Sequence, residues 1–220
     1  TSTFTVRVSF TGANGEEPFG GMVEGTAGVL FGTTSKGGAN GTGSIYRFTP
    51  PTTFALRVSM AAAPLPQLLN ATGRAPRAGM IKAQNGKLYG SCSGGGTNGV
   101  GTVFEFATAG TTVTAVSLDA TTLGSVPFGE FVQFTNNILY GTCSSGGANN
   151  IGSILRIDAT TSPATITKVY DFQTGLSGNF CAGRMMKASN NLIYGTTNAG
   201  GASNGGVIYS FNPTGNVYTK

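Results

Sequence analysis

The sequence predicts an all-β protein, a β-propeller of four four-stranded blades, on three observations. A stretch of 21 residues, LFGTTSKGGANGTGSIYRFTP at 30–50, is written four times without a gap. Charged residues make up only 10% of the 220-residue chain, while glycines number 36. Short alternating apolar runs recur between turns rich in Asn and Gly. Self-similarity at a period of about 50 residues marks a repeat architecture. Gly, Ser, Thr and Asn suit short strands joined by tight turns, and four antiparallel strands per repeat make a propeller blade.

The elements follow in order. Thr1 to Phe10 contains the alternating run TFTVRVSF, which returns as FALRVSM at Phe54–Met60, VTAVSL at Val113–Leu118 and ITKVYDF at Ile166–Phe172. A second element reads PFGGMVEG from Pro18, PRAGMIKA from Pro76, PFGEFVQF from Pro127 and CAGRMMKA from Cys181. Turn signals come next: Gly25 to Gly28, Asn85-Gly86, Asn136-Asn137 and Asn190-Asn191. Asn and Gly tolerate the positive φ that tight hairpins demand. The 21-residue copies open at Leu30, Leu88, Leu139 and Ile193 with an aliphatic-aromatic-Gly triplet. They close with an alternating run in which Ile45, Val103, Ile154 and Ile208 are apolar, as are Phe48, Phe106, Ile157 and Phe211. Arg47, Glu105, Arg156 and Ser210 are expected to turn to the other face or an edge.

These elements assemble into one domain, 1–220, with repeat cores at 18–60, 76–118, 127–172 and 181–220. The second unit carries an excess, Ala61–Gly73, whose prolines Pro64 and Pro66 exclude a central strand. Its Leu65, Leu68 and Leu69 are candidate contacts for a partner, or fold back over their own blade. The N-terminal run is expected to pair into the fourth blade and close the ring, which removes exposed edges. Excision from a longer array, or exchange of strands between chains, are the alternatives.

The phrases LFGTTSKGGANGTGSIYRFTP and PFGGMVEG closely resemble the extracellular tandem repeat of bacteria known as the GloVer repeat. That repeat occurs in secreted or surface-anchored proteins of the choice-of-anchor kind. The resemblance covers nearly the whole chain. It departs at Ser203, where the other copies carry Asn40, Asn98 and Asn149, and at Arg77-Ala78, where the first copy has Phe19-Gly20. A more distant similarity is to kelch repeats, with their Gly pair and aromatic strand. The resemblance implies an extracellular β-propeller-like protein of bacterial type, and it brings no catalytic residues with it.

The chain has no histidine, which removes Ser-His-Asp and Cys-His triads and His-ligated metals. Glycoside hydrolysis needs two carboxylates facing one substrate. Glu24 and Glu130 fall near the strand that would line a channel, but in different blades and at different strand positions. The positions matching Glu24 are Lys82, Gln133 and Lys187, a mixed ring and no metal cage. The glycine-rich loop at Gly94–Gly101 lacks the GK[ST] of a phosphate loop and reads as a tight turn. Asn40, Asn98, Asn149 and Asn204 lie in repeated loops flanked by Ser35, Ser93, Ser144 and Asn198. They are candidate glycan-binding residues, with turn capping the structural alternative.

Cys92 and Cys143 share a repeat position with Thr34 and Thr197, so they read as small buried residues; a Cys143–Cys181 bridge is the other possibility. The matches to the N-glycosylation pattern at Asn40 and Asn70 are incidental in a bacterial setting. The net charge of +5 is scattered along the chain, unlike a nucleic-acid footprint. No apolar run reaches the ~20 residues of a membrane helix, and Thr1 opens no signal-peptide pattern. The expectation is therefore a secreted or cell-surface scaffold with no enzymatic activity, cofactor or metal. Its partners would be itself, other surface proteins or glycans. The alternatives are a carbohydrate-binding propeller and, less favoured, a polysaccharide hydrolase or lyase domain.

Overall fold

The structure is a computed structural model that describes residues 3–60, 72–173, 175, 178–181 and 183–220. Four antiparallel sheets follow one another along the chain. Blade 1 holds β1 (Val23–Thr26), β2 (Val29–Thr34), β3 (Ser44–Thr49) and β4 (Thr53–Ser59). Blade 2 holds β5 (Ile81–Lys82), β6 (Leu88–Cys92), β7 (Thr102–Phe106) and β8 (Val113–Ser117). Blade 3 adds a short β9 (Ser125–Pro127) to β10 (Val132–Thr135), β11 (Ile138–Ser145), β12 (Ser153–Asp158) and β13 (Thr165–Asp171). Blade 4 holds β14 (Met186–Lys187), β15 (Ile193–Thr196), β16 (Ile208–Asn212) and β17 (Val217–Thr219). The four main strands of each blade form a meander, as the repeated turns require, and in blade 3 β9 adds to β11 beyond β10. Asn137 and Asn191, at φ 57° and 61°, make the same hairpin corner that Gly28 and Gly86 make in the first two blades.

The blades stack face to face, with three apolar cores between successive pairs. Phe31 and Ile45 of blade 1 meet Met80, Leu88, Phe104 and Phe106 of blade 2. Tyr89, Val103 and Leu118 meet Leu139, Leu155 and Ile157 of blade 3. Tyr140, Ile154 and Phe172 meet Ile193, Tyr209 and Phe211 of blade 4. Each blade therefore offers a forward face to the next blade and a rear face to the one before it. Val103 packs forward while Phe106 packs rearward, so the two apolar positions of the alternating run lie on opposite faces. Glu105 shares the forward side with Val103, where the sequence left the other face or an edge open. It sits 5% exposed at the junction of blades 2 and 3, where Lys87 Nζ (2.8 Å), Tyr89 and Ser162 all hydrogen-bond it. Burial pushes its carboxyl up, but the bonds from Lys87 and Ser162 outweigh that and hold it below the ordinary value.

The glycine of each triplet is a packing requirement. A Cβ on Gly32 would come within 2.3 Å of the Tyr46 hydroxyl, and one on Gly195 within 2.4 Å of Tyr209. On Gly90 it would meet the Phe104 ring at 2.5 Å. Blade 3 carries Leu155 where these aromatic rings stand, and the ring of Phe131 fills the space instead, 2.4 Å from a Cβ on Gly141. The other blades have methionine at the Phe131 position, so aromatic volume moves from one strand to another while the total is kept.

Main-chain strain recurs with the repeat. Glu17, Ala75, Val126 and Phe180 all take φ of 53–56°, a region a β-branched residue such as Val126 rarely enters. Each is held by the end of the second strand of its own blade. Ser93 N and Asn198 N donate to Ala75 O and Phe180 O at 3.1 and 3.2 Å, and Ser144 Oγ donates to Val126 O at 3.0 Å. Two of them also stitch blades together: Ala75 N donates to Thr42 O and Val126 N to Val100 O, both at 2.9 Å. Cys92, Cys143 and Cys181 are free and buried, so no Cys143–Cys181 bridge forms. Burial pushes all three thiols up to about 12.

The ring does not close as the N-terminal run suggested. Residues 3–10 join no sheet; they lie across the rear face of blade 1, where Phe10 packs on Tyr46 (5.3 Å between ring centres) and Phe54 (5.9 Å). The outer edge of β16 is instead taken by β17, which follows it directly in the chain. The nearer aromatic surface wins the N-terminal segment, and a local hairpin partner wins the edge.

Gly90→Ala should destabilise the fold by about 1–3 kcal/mol, the usual cost of overpacking. Gly205→Ala, whose Cβ would meet nothing within 4 Å, should leave the denaturation midpoint nearly unchanged. Asp119 Oδ1 accepts four bonds from Thr121 and Thr122, and the backbone and hydroxyl donors lower its pKa from 3.8 to about 2. A depressed folded value means stability present above pH 3.8 and lost as pH falls toward 2. An acid titration followed by circular dichroism should show that loss, and Asp119→Ala should flatten it.

Candidate functional site

The residues that the sequence singles out are occupied with their own chain. Asn40, Asn98 and Asn149 each donate Nδ2 to the carbonyl just past the fourth strand of their blade: Met60 O at 2.7 Å, Leu118 O at 2.8 Å and Phe172 O at 2.8 Å. Asn204 stands one place on from that position, at φ 55°, and accepts from Gly200 N at 2.8 Å. Glu24 accepts from Gly28 N within its own hairpin at 2.6 Å, and Glu130 pairs with Arg184 Nε at 3.3 Å. A cavity of about 540 Å³ opens beside the inner strands of blades 2 to 4, with Ile81 and Val132 on its floor and Gln133, Arg184 and Lys187 around it. Lys187 is committed there, donating to Phe134 O at 2.8 Å and lying over the Phe134 ring at 4.8 Å. Leu65, Leu68 and Leu69 lie outside the described residues.

The chemistry that stands out is instead on the two end faces of the stack. Phe31, Tyr89 and Tyr140 occupy one repeat position on the forward face and are 1%, 0% and 3% exposed. Phe31 lies 5.9 Å from Phe106 with the rings tilted 59°, and Tyr140 lies 5.8 Å from Phe211 at 56°. The same contact is thus made at two junctions with nearly one geometry, and at the junction of blades 2 and 3 Ile157 of blade 3 stands in place of the second ring. On blade 4 the equivalent Tyr194 is half-buried, and its hydroxyl accepts from Asn190 Nδ2 at 2.9 Å. Ile45, Val103 and Ile154 are at most 2% exposed, yet Ile208 in the same position is 72% exposed. Met186, equivalent to the 8%-exposed Val132, stands at 59%. Fully burying a side chain of this size contributes about 1.5–3 kcal/mol, so blade 4 presents a set of unrealised contacts.

The rear face of blade 1 is the complementary end. Met22 is 54% exposed where Met80, Phe131 and Met185 are buried. Residues 3–10 cover the rest only in part, leaving a cavity of about 330 Å³ between Phe4, Val6, Val8 and the blade residues Met22, Phe48 and Phe54. Sequence reasoning missed both faces. Ile208 reads as core because its column is core, and what exposes it is the lack of a neighbouring blade among the described residues.

Among the described residues, four antiparallel blades stack face to face as open sheets, the arrangement of a β-propeller-like repeat protein. The chain belongs to the Gloeobacter/Verrucomicrobia repeat family, whose model matches residues 52–220. No curated protein matches the chain. Among solved structures it is similar to a putative gluconolactonase, at 16% identity and a TM-score of 0.52, over 88% of this chain and 59% of that one. It is also similar to a gluconolactonase from Xanthomonas campestris, at 12% identity and a TM-score of 0.49, over 85% of this chain and 56% of that one. The chain spans well under two thirds of the length of these structures, and at such identities the likeness speaks for the fold.

The likeness to the putative gluconolactonase overturns the expectation of a chain without enzymatic activity. That expectation came from the missing histidine and the separated Glu24 and Glu130, but the fold is one carried by a protein described as a putative enzyme. The lack of those residue types removes particular mechanisms and not catalysis as such.

The burial contrast between equivalent residues is measurable. Ile45→Ala should cost about 2–5 kcal/mol in chemical denaturation at low protein concentration. Ile208→Ala should stay within about 0.5 kcal/mol under the same conditions.

Proposed function

We propose that the chain is an interaction scaffold that assembles through the forward face of its fourth blade, in a secreted or cell-surface setting. The observation that carries this reading is the 72% exposure of Ile208, at a position where Ile45, Val103 and Ile154 are at most 2% exposed. A repeat unit that stacks on its neighbours buries its faces only when a neighbour is present, so an open end face is an adhesive surface. The extracellular setting rests on the resemblance to the GloVer repeat and on a composition rich in Gly, Ser, Thr and Asn. Glycan binding through the repeated asparagines has less support, because three of the four amide nitrogens are spent on the chain's own carbonyls.

Light scattering across a concentration series tests the proposal. A mass that climbs above the 22.2 kDa of one chain, and returns to it in Ile208→Asp with an unchanged circular-dichroism spectrum, is the expected result. A single-chain mass at every concentration would overturn it.

A further inference from the structure

We propose that the axis of the stack, where residues of all four blades meet, binds a saccharide unit that carries one carboxylate, a hexuronate. This site is independent of the proposed assembly role.

A single repeat position builds it. Gly21, Gly79, Glu130 and Arg184 directly precede Met22, Met80, Phe131 and Met185, so they are one column of blades 1 to 4. The needs of a blade do not explain a column that reads Gly, Gly, Glu, Arg. Its residues are matched to one another in space instead. A Cβ on Gly79 would stand 2.9 Å from the carboxyl carbon of Glu130, and one on Gly21 would stand 3.7 Å from its Oε1. Glycine in blades 1 and 2 therefore leaves room for a carboxylate that comes from blade 3. Through Oε2 the same carboxylate holds Arg184 Nε of blade 4 at 3.3 Å. Exposed ion pairs add little stability, and Arg184 stays 67% exposed in this one. What the pairing does is fix a guanidinium. It is tied at Nε and keeps its terminal nitrogens for a bidentate partner, the fork that fits a carboxylate.

Beside that guanidinium lies the cavity of about 540 Å³, within the ~300–1,000 Å³ of small-molecule sites. Its other polar groups have capacity to spare. Among the described residues the Gln133 amide makes no hydrogen bond of its own. Lys187 gives one hydrogen to Phe134 O, and its ammonium keeps the rest of its donors. Asn40, Asn98, Asn149 and Glu24, by contrast, are committed within their own blades.

Charge and shape choose the ligand. Arg184 and Lys187 are the cations around the cavity and Glu130 offsets one of them, which leaves a single positive charge. That charge matches a carboxylate and would leave a phosphate dianion half neutralised. Ile81 and Val132 on the floor take the C–H face of a sugar ring, and the Gln133 amide offers a donor and an acceptor to its hydroxyls. A sugar acid uses all of these groups. A neutral sugar leaves the guanidinium idle, and a simple carboxylate leaves the floor and the amide idle.

Titration calorimetry with D-glucuronate as the probe tests the assignment, with D-glucose, acetate and inorganic phosphate as comparison arms. The expected result is one saturable site for glucuronate, with the other three at least about tenfold weaker. Arg184→Ala and Gln133→Ala should each weaken glucuronate binding about tenfold with an unchanged circular-dichroism spectrum. Should either variant lose its fold, the other carries the test. No binding of glucuronate, or binding that both folded variants retain in full, would overturn the inference. Acetate or phosphate binding as tightly as glucuronate would reduce the site to one for simple anions and overturn the saccharide assignment. Each of these failures leaves the light-scattering test of assembly untouched, so the two readings stand or fall separately.

Discussion

The structure depends on one contact, the forward face of a blade pressed on the rear face of the next. The tilted pairs Phe31–Phe106 and Tyr140–Phe211 are its centre, and the side chains around them are almost without exposure. A four-stranded sheet with apolar residues on both sides cannot keep them from water by itself, so stability is shared between neighbours. Everything else follows that demand. The triplet glycines let rings lie flat against the second strand. The asparagine amides pin the end of the fourth strand. The backbone bonds from Ala75 and Val126 fix blades 2 and 3 to the blades before them.

Much of this was legible in the sequence because the repeat is written at fixed spacing. The four strands of the first three blades, the hairpin corners at Asn137 and Asn191, and the burial of Cys92 and Cys143 follow from aligning the copies. The faces were harder to read. Ile45 and Phe48 are both apolar and three apart, and only pairing distinguishes a residue that looks forward from one that looks back. Ring closure failed for a related reason: the run at residues 3–10 has a fourth-strand pattern, but pattern does not say whose fourth strand it is. The contest was decided by Tyr46 and Phe54, which stand close along the chain and offer aromatic surface at once.

Function was less legible than fold. The asparagines recur at one position in three of the four copies, and regularity in a repeat protein reports the needs of the repeat first. What distinguishes one blade from another is not in any repeated column but in whether a neighbour covers it. Ile208 and Val103 have like side chains and opposite circumstances. The half-buried ion pair of Lys87 and Glu105 shows the same thing from the polar side. It belongs to blade 2 by sequence, and a serine from blade 3 completes it.

The exchange of bulk between Phe131 and Leu155 bears on how such a repeat evolves. Copies that arise by duplication are free to drift only along paths that keep the volume above the triplet glycine constant. A ring lost from one strand has to be regained on another before or soon after, or the junction slackens. Recombination that splits a blade between its first and third strands would unite Met with Leu, or Phe with Tyr, and give a gap or a collision. Whole blades, each carrying its own settled pair, are the pieces that can be traded between arrays.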